Sequence, residues 1–132
     1  MAEPGHILLI EDEPNIAEAV RFVLTRAGWQ VSLHGRGDDA MAAITLARPD
    51  AVILDMMLPG ASGLEVLAKL RAAEGLGSLP VLMLTARGQA RDREAATRAG
   101  ATAFLAKPFG NDDLRAAVAA LMAAPGAGLA DA

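Results

Sequence analysis

The sequence predicts an α/β protein: a parallel sheet of five strands with right-handed crossovers and helices on both faces, the doubly wound arrangement. Three observations carry this reading. Short apolar runs alternate with stretches whose apolar residues recur at helical spacing, from one end of the chain to the other. The runs Val52-Ile53-Leu54 and Val81-Leu82-Met83-Leu84 are unbroken, as in strands buried on both faces. Four of the runs stop at polar side chains, namely Glu11-Asp12, Asp55, Thr85 and Lys107. In a parallel sheet these ends share one edge, where open α/β sheets place their ligands.

The bulk properties agree with one globular domain. The chain has 132 residues, is 53% hydrophobic and 21% charged, and carries a net charge of −4. Aromatic residues make up only 3%, so the core must be aliphatic. The absence of cysteine excludes disulfides and thiolate metal sites. The negative charge argues against a free-standing nucleic-acid binder. No apolar run approaches a membrane span. No basic segment followed by an apolar block opens the chain as in a signal peptide, so the cytoplasm is the expected location.

Taken in order, His6 to Ile10 reads as a first strand, ending in Glu11, Asp12 and Glu13. Pro14 suits a first helical turn, and acids there favour the helix N-terminus. That helix runs to about Ala27, with Ile16, Val20, Val23, Leu24 and Ala27 on one face and Gly28 as its C-terminal cap. Gln30 to Leu33 is a weaker strand. Gly35, Gly37 and Asp38 turn the chain into a helix reaching about Ala47, with Met41, Ile44 and Leu46 as apolar contacts. The strand Ala51–Asp55 follows. After Gly63 comes a helix carrying Leu64, Val66, Leu67 and Leu70, then a glycine-rich loop.

Val81 to Leu84 forms the fourth strand, ending at Thr85-Ala86, and Arg87 to Gln89 form a loop. The helix from about Ala90 to Ala99 has few large apolar residues and should be the least firmly packed. Its arginines, with Arg87, read as a solvated face. Thr102 to Leu105 is a short fifth strand, ending near Lys107-Pro108. Asn111 or Asp112 can cap a last helix with Leu114, Val118, Leu121 and Met122. Residues 5–123 form the expected domain, and 124–132 read as a flexible tail.

Any one of the polar strand ends could simply be a solvated group. Their joint occurrence at these strand ends is specific. With the stretches LLIEDEP, VILDMMLPGASGLEVL, VLMLTA and GATAFLAKPF, the sequence resembles the receiver domains of bacterial two-component response regulators from about Gly5 to Ala123. The resemblance implies a flavodoxin-like (βα)5 fold with strand order 2-1-3-4-5.

It also implies a phosphorylation switch. Asp55 matches the phosphoacceptor, which takes a phosphoryl group from a partner's phosphohistidine; a carboxylate ionised at neutral pH needs no general base for this. Glu11, Asp12, Asp55 and the backbone carbonyl of Met57 match the ligands of Mg²⁺, a cation that prefers hard oxygen donors. Three clustered carboxylates without a cation would repel one another. Lys107 would pair with one phosphoryl oxygen and Thr85 would donate to another. Thr85 and Phe104 match the switch pair, and Lys107-Pro108 matches the family's cis peptide bond. The domain would catalyse its own phosphorylation and dephosphorylation rather than turn over a separate substrate. Expected partners are a sensor histidine kinase or histidine phosphotransfer protein and a downstream target protein, with no direct contact to nucleic acid or membrane. On the first helix, Ile16, Ala19 and Phe22 form an i, i+3, i+6 row that would dock the phosphodonor.

Two departures qualify the resemblance. Thr102 and Ala103 stand before Phe104 where many receivers carry acids, which puts a salt-bridged dimer in doubt and leaves a monomer or a weak phosphorylation-dependent dimer. Ala61 and Ser62 replace a more usual methionine and aspartate. Without an output domain in the sequence, a single-domain regulator or an excised receiver is expected. Other classes fit less well. An aspartate-nucleophile phosphatase would carry a second acid where Met57 stands. A flavin carrier of similar fold would want a phosphate-binding loop where Glu11-Asp12-Glu13 stands. A phosphorylation-independent adaptor is opposed only by the intactness of the site.

Overall fold

The computed structural model describes residues 5–86 and 90–123. The expected tail from residue 124 and the loop at Arg87 lie outside the described residues. Strands and helices alternate: β1 (His6–Ile10), α1 (Pro14–Arg26), β2 (Gln30–His34), α2 (Ala40–Ala47), β3 (Ala51–Asp55), α3 (Gly63–Ala72), β4 (Val81–Ala86), α4 (Ala90–Ala99), β5 (Ala103–Lys107) and α5 (Asn111–Met122). The strands form one parallel sheet in the order β2-β1-β3-β4-β5.

Side chains alternate across a strand, so the sheet builds two cores. Ile7, Leu9, Ile53, Leu82 and Leu84 face α1 and α5, meeting Val20, Leu24, Leu114 and Val118. Leu8, Ile10, Val52, Leu54 and Met83 face the other way, meeting Ile44 of α2, Val66, Leu67 and Leu70 of α3, and Ala96 of α4. The central strands β1 and β3 are therefore apolar on both faces.

Several local expectations change. The buried row of α1 holds Ala17, Val20, Val23 and Leu24, while Ile16 is half-buried and Ala27 is exposed. After α1, the Gly28 amide donates to the Thr25 carbonyl and the Trp29 amide to the Leu24 carbonyl, the pattern of a Schellman cap. Gly28 takes φ +104° there, which favours glycine. Leu46 is not a core residue: it is 86% exposed. At 100° per residue, position 46 points well away from position 44, and Ala40, Met41 and Ala47 cover the sheet with Ile44 instead. Strand β5 begins one residue later and ends two later than expected, because Leu82 pairs with Ala103 and Ala86 with Lys107. The cap of α5 is Gly110 rather than Asn111 or Asp112, with the Gly110 amide donating to Asp113 Oδ2 at 3.3 Å.

Candidate functional site

Register places the polar strand ends. Ile10 pairs with Leu54, so Glu11 follows at the level of Asp55. Asp55 pairs with Leu84, so Thr85 lies one step beyond on the next strand. Lys107, at the end of β5, reaches back across that edge. Its Nζ lies 3.1 Å from Asp55 Oδ1 and 3.3 Å from Glu11 Oε1. The Lys107–Pro108 peptide bond is cis.

These groups are withdrawn from solvent at relative exposures of 3% for Asp55, 4% for Glu11 and 1% for Thr85. Two buried oxygens among the described residues have no hydrogen-bond partner: Glu11 Oε1, whose Lys107 neighbour is ionic only, and Thr85 Oγ1. Such atoms normally find a partner, so both point to a missing one. Oxygens of Glu11, Asp12 and Asp55 lie within 4.8 Å of one another. Burial raises the Glu11 pKa above its ordinary 4.5, the Glu13 amide opposes the rise, and the Asp55 charge adds to it. Burial alone would lower the Lys107 pKa, but Asp55 and Glu11 outweigh it and the net shift is upward.

The residues fit a hard divalent cation. Three carboxylates face one ammonium, leaving an excess of two negative charges when all are ionised. The donors are all oxygens, and Glu11 Oε1 still lacks a hydrogen bond.

The loop after β3 is held against the site by its own backbone. The Gly63 amide donates to the Met56 carbonyl, and a Cβ at Gly63 would fall 2.1 Å from the Asp55 carbonyl oxygen. Ser62 caps α3: Glu65 N donates to Ser62 Oγ, and Ser62 N to Glu65 Oε1. The spacing of Ser62 and Glu65 carried this signal, which a reading of Ser62 as a plain loop residue passes over. Met57 is 78% exposed.

A cleft of about 600 Å³ opens on the site. Asp55, Thr85, Lys107 and Met57 line it, as do Ile16 and Ala19. Phe22 is not in its lining; it is 61% exposed, with the Arg26 guanidinium 5.6 Å from its ring centroid. Phe104 lies apart from the acids, half-buried, with Arg93 of α4 stacked 4.5 Å over its ring. The expected solvated face of arginines is thus incomplete. Arg71 is a further unanticipated contact, donating to the Gly100 and Leu79 carbonyls. No local pattern signals it, because its acceptors, which also include the Thr102 hydroxyl, lie eight or more residues away.

Among the described residues no helix is long and apolar enough to cross a membrane. The family model described as response regulator receiver domain matches residues 7–119. The probable transcriptional regulatory protein TcrX of Mycobacterium tuberculosis is 43% identical over 120 residues, which is 91% of this chain and 50% of that protein. The chain thus spans about half the length of the curated relatives it matches. A putative response regulator from Chloroflexus aurantiacus superposes with a TM-score of 0.88 at 36% identity, covering 92% of this chain and 99% of that one. The receiver domain of a Pseudomonas aeruginosa sensor histidine kinase superposes at 0.84 with 30% identity, over 92% of this chain and 99% of that one. That structure is described with a magnesium ion coordinated in the active site cleft. Fold, strand-end acids and relatives agree: the chain belongs to the response regulator receiver domain family of two-component systems.

Proposed function

We propose that residues 5–123 are a phosphoacceptor switch with Asp55 as the acceptor. The observation that carries this is the buried Asp55 carboxylate, paired with Lys107 and set beside an unpartnered Thr85 hydroxyl. An Asp55 oxygen attacks the phosphorus, and the bond from phosphorus to the donor's imidazole nitrogen breaks with its electron pair staying on that nitrogen. Lys107 offsets the charge of the phosphoryl oxygens and Thr85 donates a hydrogen bond to one of them. Glu11, Asp12, Asp55 and the Met57 carbonyl would hold Mg²⁺, which when bound screens the repulsion between carboxylate and phosphoryl group.

Donors of matching chemistry are a histidine kinase or a histidine phosphotransfer protein, with a target protein downstream. Ile16 and Ala19, on the cleft, and Phe22, further along α1, supply the docking row. On phosphorylation Thr85 moves toward the phosphoryl group and Phe104 follows, changing the surface that a target reads.

The test is incubation with Mg²⁺ and acetyl phosphate, followed by intact mass. A gain of one phosphoryl group is expected for the parent and none for Asp55→Asn. No gain in the parent, or an equal gain in the variant, refutes the assignment. Phe22→Ala should slow transfer from the protein donor and leave acetyl phosphate labelling unchanged. Equal slowing with both donors would remove Phe22 from the docking row.

A further inference from the structure

The cleft beside Asp55 is larger than a phosphoryl group needs, and its lining combines a few polar groups with a larger apolar part. Its polar groups include the Asp55 carboxylate, the Lys107 ammonium paired with it and Thr85. Most of the remaining lining is apolar, with Ile16 and Ala19 of α1, Phe109 just before α5, Leu114 in its first turn and the exposed Met57, interrupted by the polar Asn15, Asp92 and Asn111. A volume of about 600 Å³ falls within the range of small-molecule sites. A ligand that complements Lys107 and this apolar lining carries an anionic phosphoryl head and a short apolar body.

We infer that this cleft selects small-molecule acyl phosphates by their acyl chain, favouring a butyryl over an acetyl group. The inference rests on the phosphoacceptor reading of Asp55 and goes beyond it by naming a chain-length preference among small-molecule donors. In the reaction an Asp55 oxygen bonds to phosphorus, the bond from phosphorus to the acyl oxygen breaks, and a carboxylate leaves with the electron pair. No proton or co-reactant is required. Added methylenes lie away from the breaking bond, so a change in rate reports contact with the apolar lining rather than altered reactivity. A fully buried methylene is worth a factor of about four. Two methylenes in an open cleft should therefore give about tenfold.

The experiment compares acetyl, propionyl and butyryl phosphate on the full chain with saturating Mg²⁺. Second-order labelling rates are read by intact mass at low donor concentration. The expected order is butyryl, propionyl, acetyl, with about tenfold between the extremes. Phe109→Asn should bring the butyryl-to-acetyl ratio toward one, and the ratio cancels any general effect of the substitution. Ala19→Gln, at an exposed position of the same lining, makes the same test if Phe109→Asn does not fold. Equal rates in the parent overturn the inference and leave the apolar lining to a protein partner's side chains. A preference that survives both substitutions overturns the placement. Labelling by acetyl phosphate at Asp55 without chain preference sinks this inference alone, whereas no labelling by any donor sinks the phosphoacceptor reading with it.

Discussion

Helices α3 and α4 have the same length, follow neighbouring strands and cover the same face of the sheet, yet they are held in different ways. Helix α3 buries Gly63, Val66, Leu67 and Leu70 and starts with a complete capping box. Helix α4 buries only Ala96. What else ties α4 down is polar or peripheral: the Ala101 amide on the Ala96 carbonyl, Arg71 on the Gly100 carbonyl, and Arg93 over Phe104. Moving α4 therefore exposes little apolar surface, whereas moving α3 would open a core. The difference matches the proposed roles of the two strand ends. Helix α3 comes after Asp55, the proposed phosphoacceptor. Helix α4 comes after Thr85, the proposed switch residue.

The largest expected effect breaks the comparison if it fails. Leu67→Ala should cost about 2–5 kcal/mol of unfolding free energy, through lost burial and a cavity. Ala96→Gly, which removes the one buried side chain of α4, should cost about 1–2 kcal/mol. Denaturant unfolding of both variants measures the gap, and equal losses would mean that α4 is as firmly held as α3. Amide exchange should likewise be faster in α4 than in α3.

The next effect concerns the acids on the anchored side. Burial, reinforced by Asp55, raises the Glu11 pKa in the fold. Its contribution to stability is thus present below the ordinary value of 4.5 and is lost as pH rises through the raised value. Glu11→Gln keeps a neutral group at every pH. Without Mg²⁺ it should raise Tm by roughly 2–5 °C at neutral pH, and the gain should vanish below the ordinary glutamate range. With Mg²⁺ the parent should gain more than the variant, since a ligand that binds only the folded state stabilises it. A gain that persists in acid would show that the cost of burying an ionised Glu11 beside Asp55 is not the cause.

The smallest effect lies on the α4 side. Arg93→Ala should cost about 0.5–1 kcal/mol, the scale of an exposed cation–π contact. A loss several times larger would mean that Arg93 anchors α4, and the contrast with α3 would weaken.

Much of this was legible because the sheet is parallel and covered twice. The unbroken runs at 52–54 and 81–84 read as strands buried on both faces, and the strand order agrees with the one the family resemblance implied. Asp55, Glu11 and Thr85 were visible because a polar group directly after such a run must sit at the strand's carboxyl end. Other features depend on geometry that a linear pattern does not hold. Leu46 is apolar but off the helix face that Ile44 defines, so its type misled where its angle decides. The bounds of β5 depend on its pairing with β4. Arg71 and Arg93 find partners across the fold, two carbonyls in one case and a ring in the other, and nothing near them in sequence announces either.

The assignment of Asp55 is tested most directly by locating the phosphoryl group. Borohydride reduces an aspartyl phosphate to homoserine, which peptide mass spectrometry can place in the chain. After labelling with acetyl phosphate and Mg²⁺, homoserine is expected at position 55 and at no other aspartate. Reduction at Asp12 instead, or a borohydride-resistant phosphate on Thr85, would contradict the site as built here.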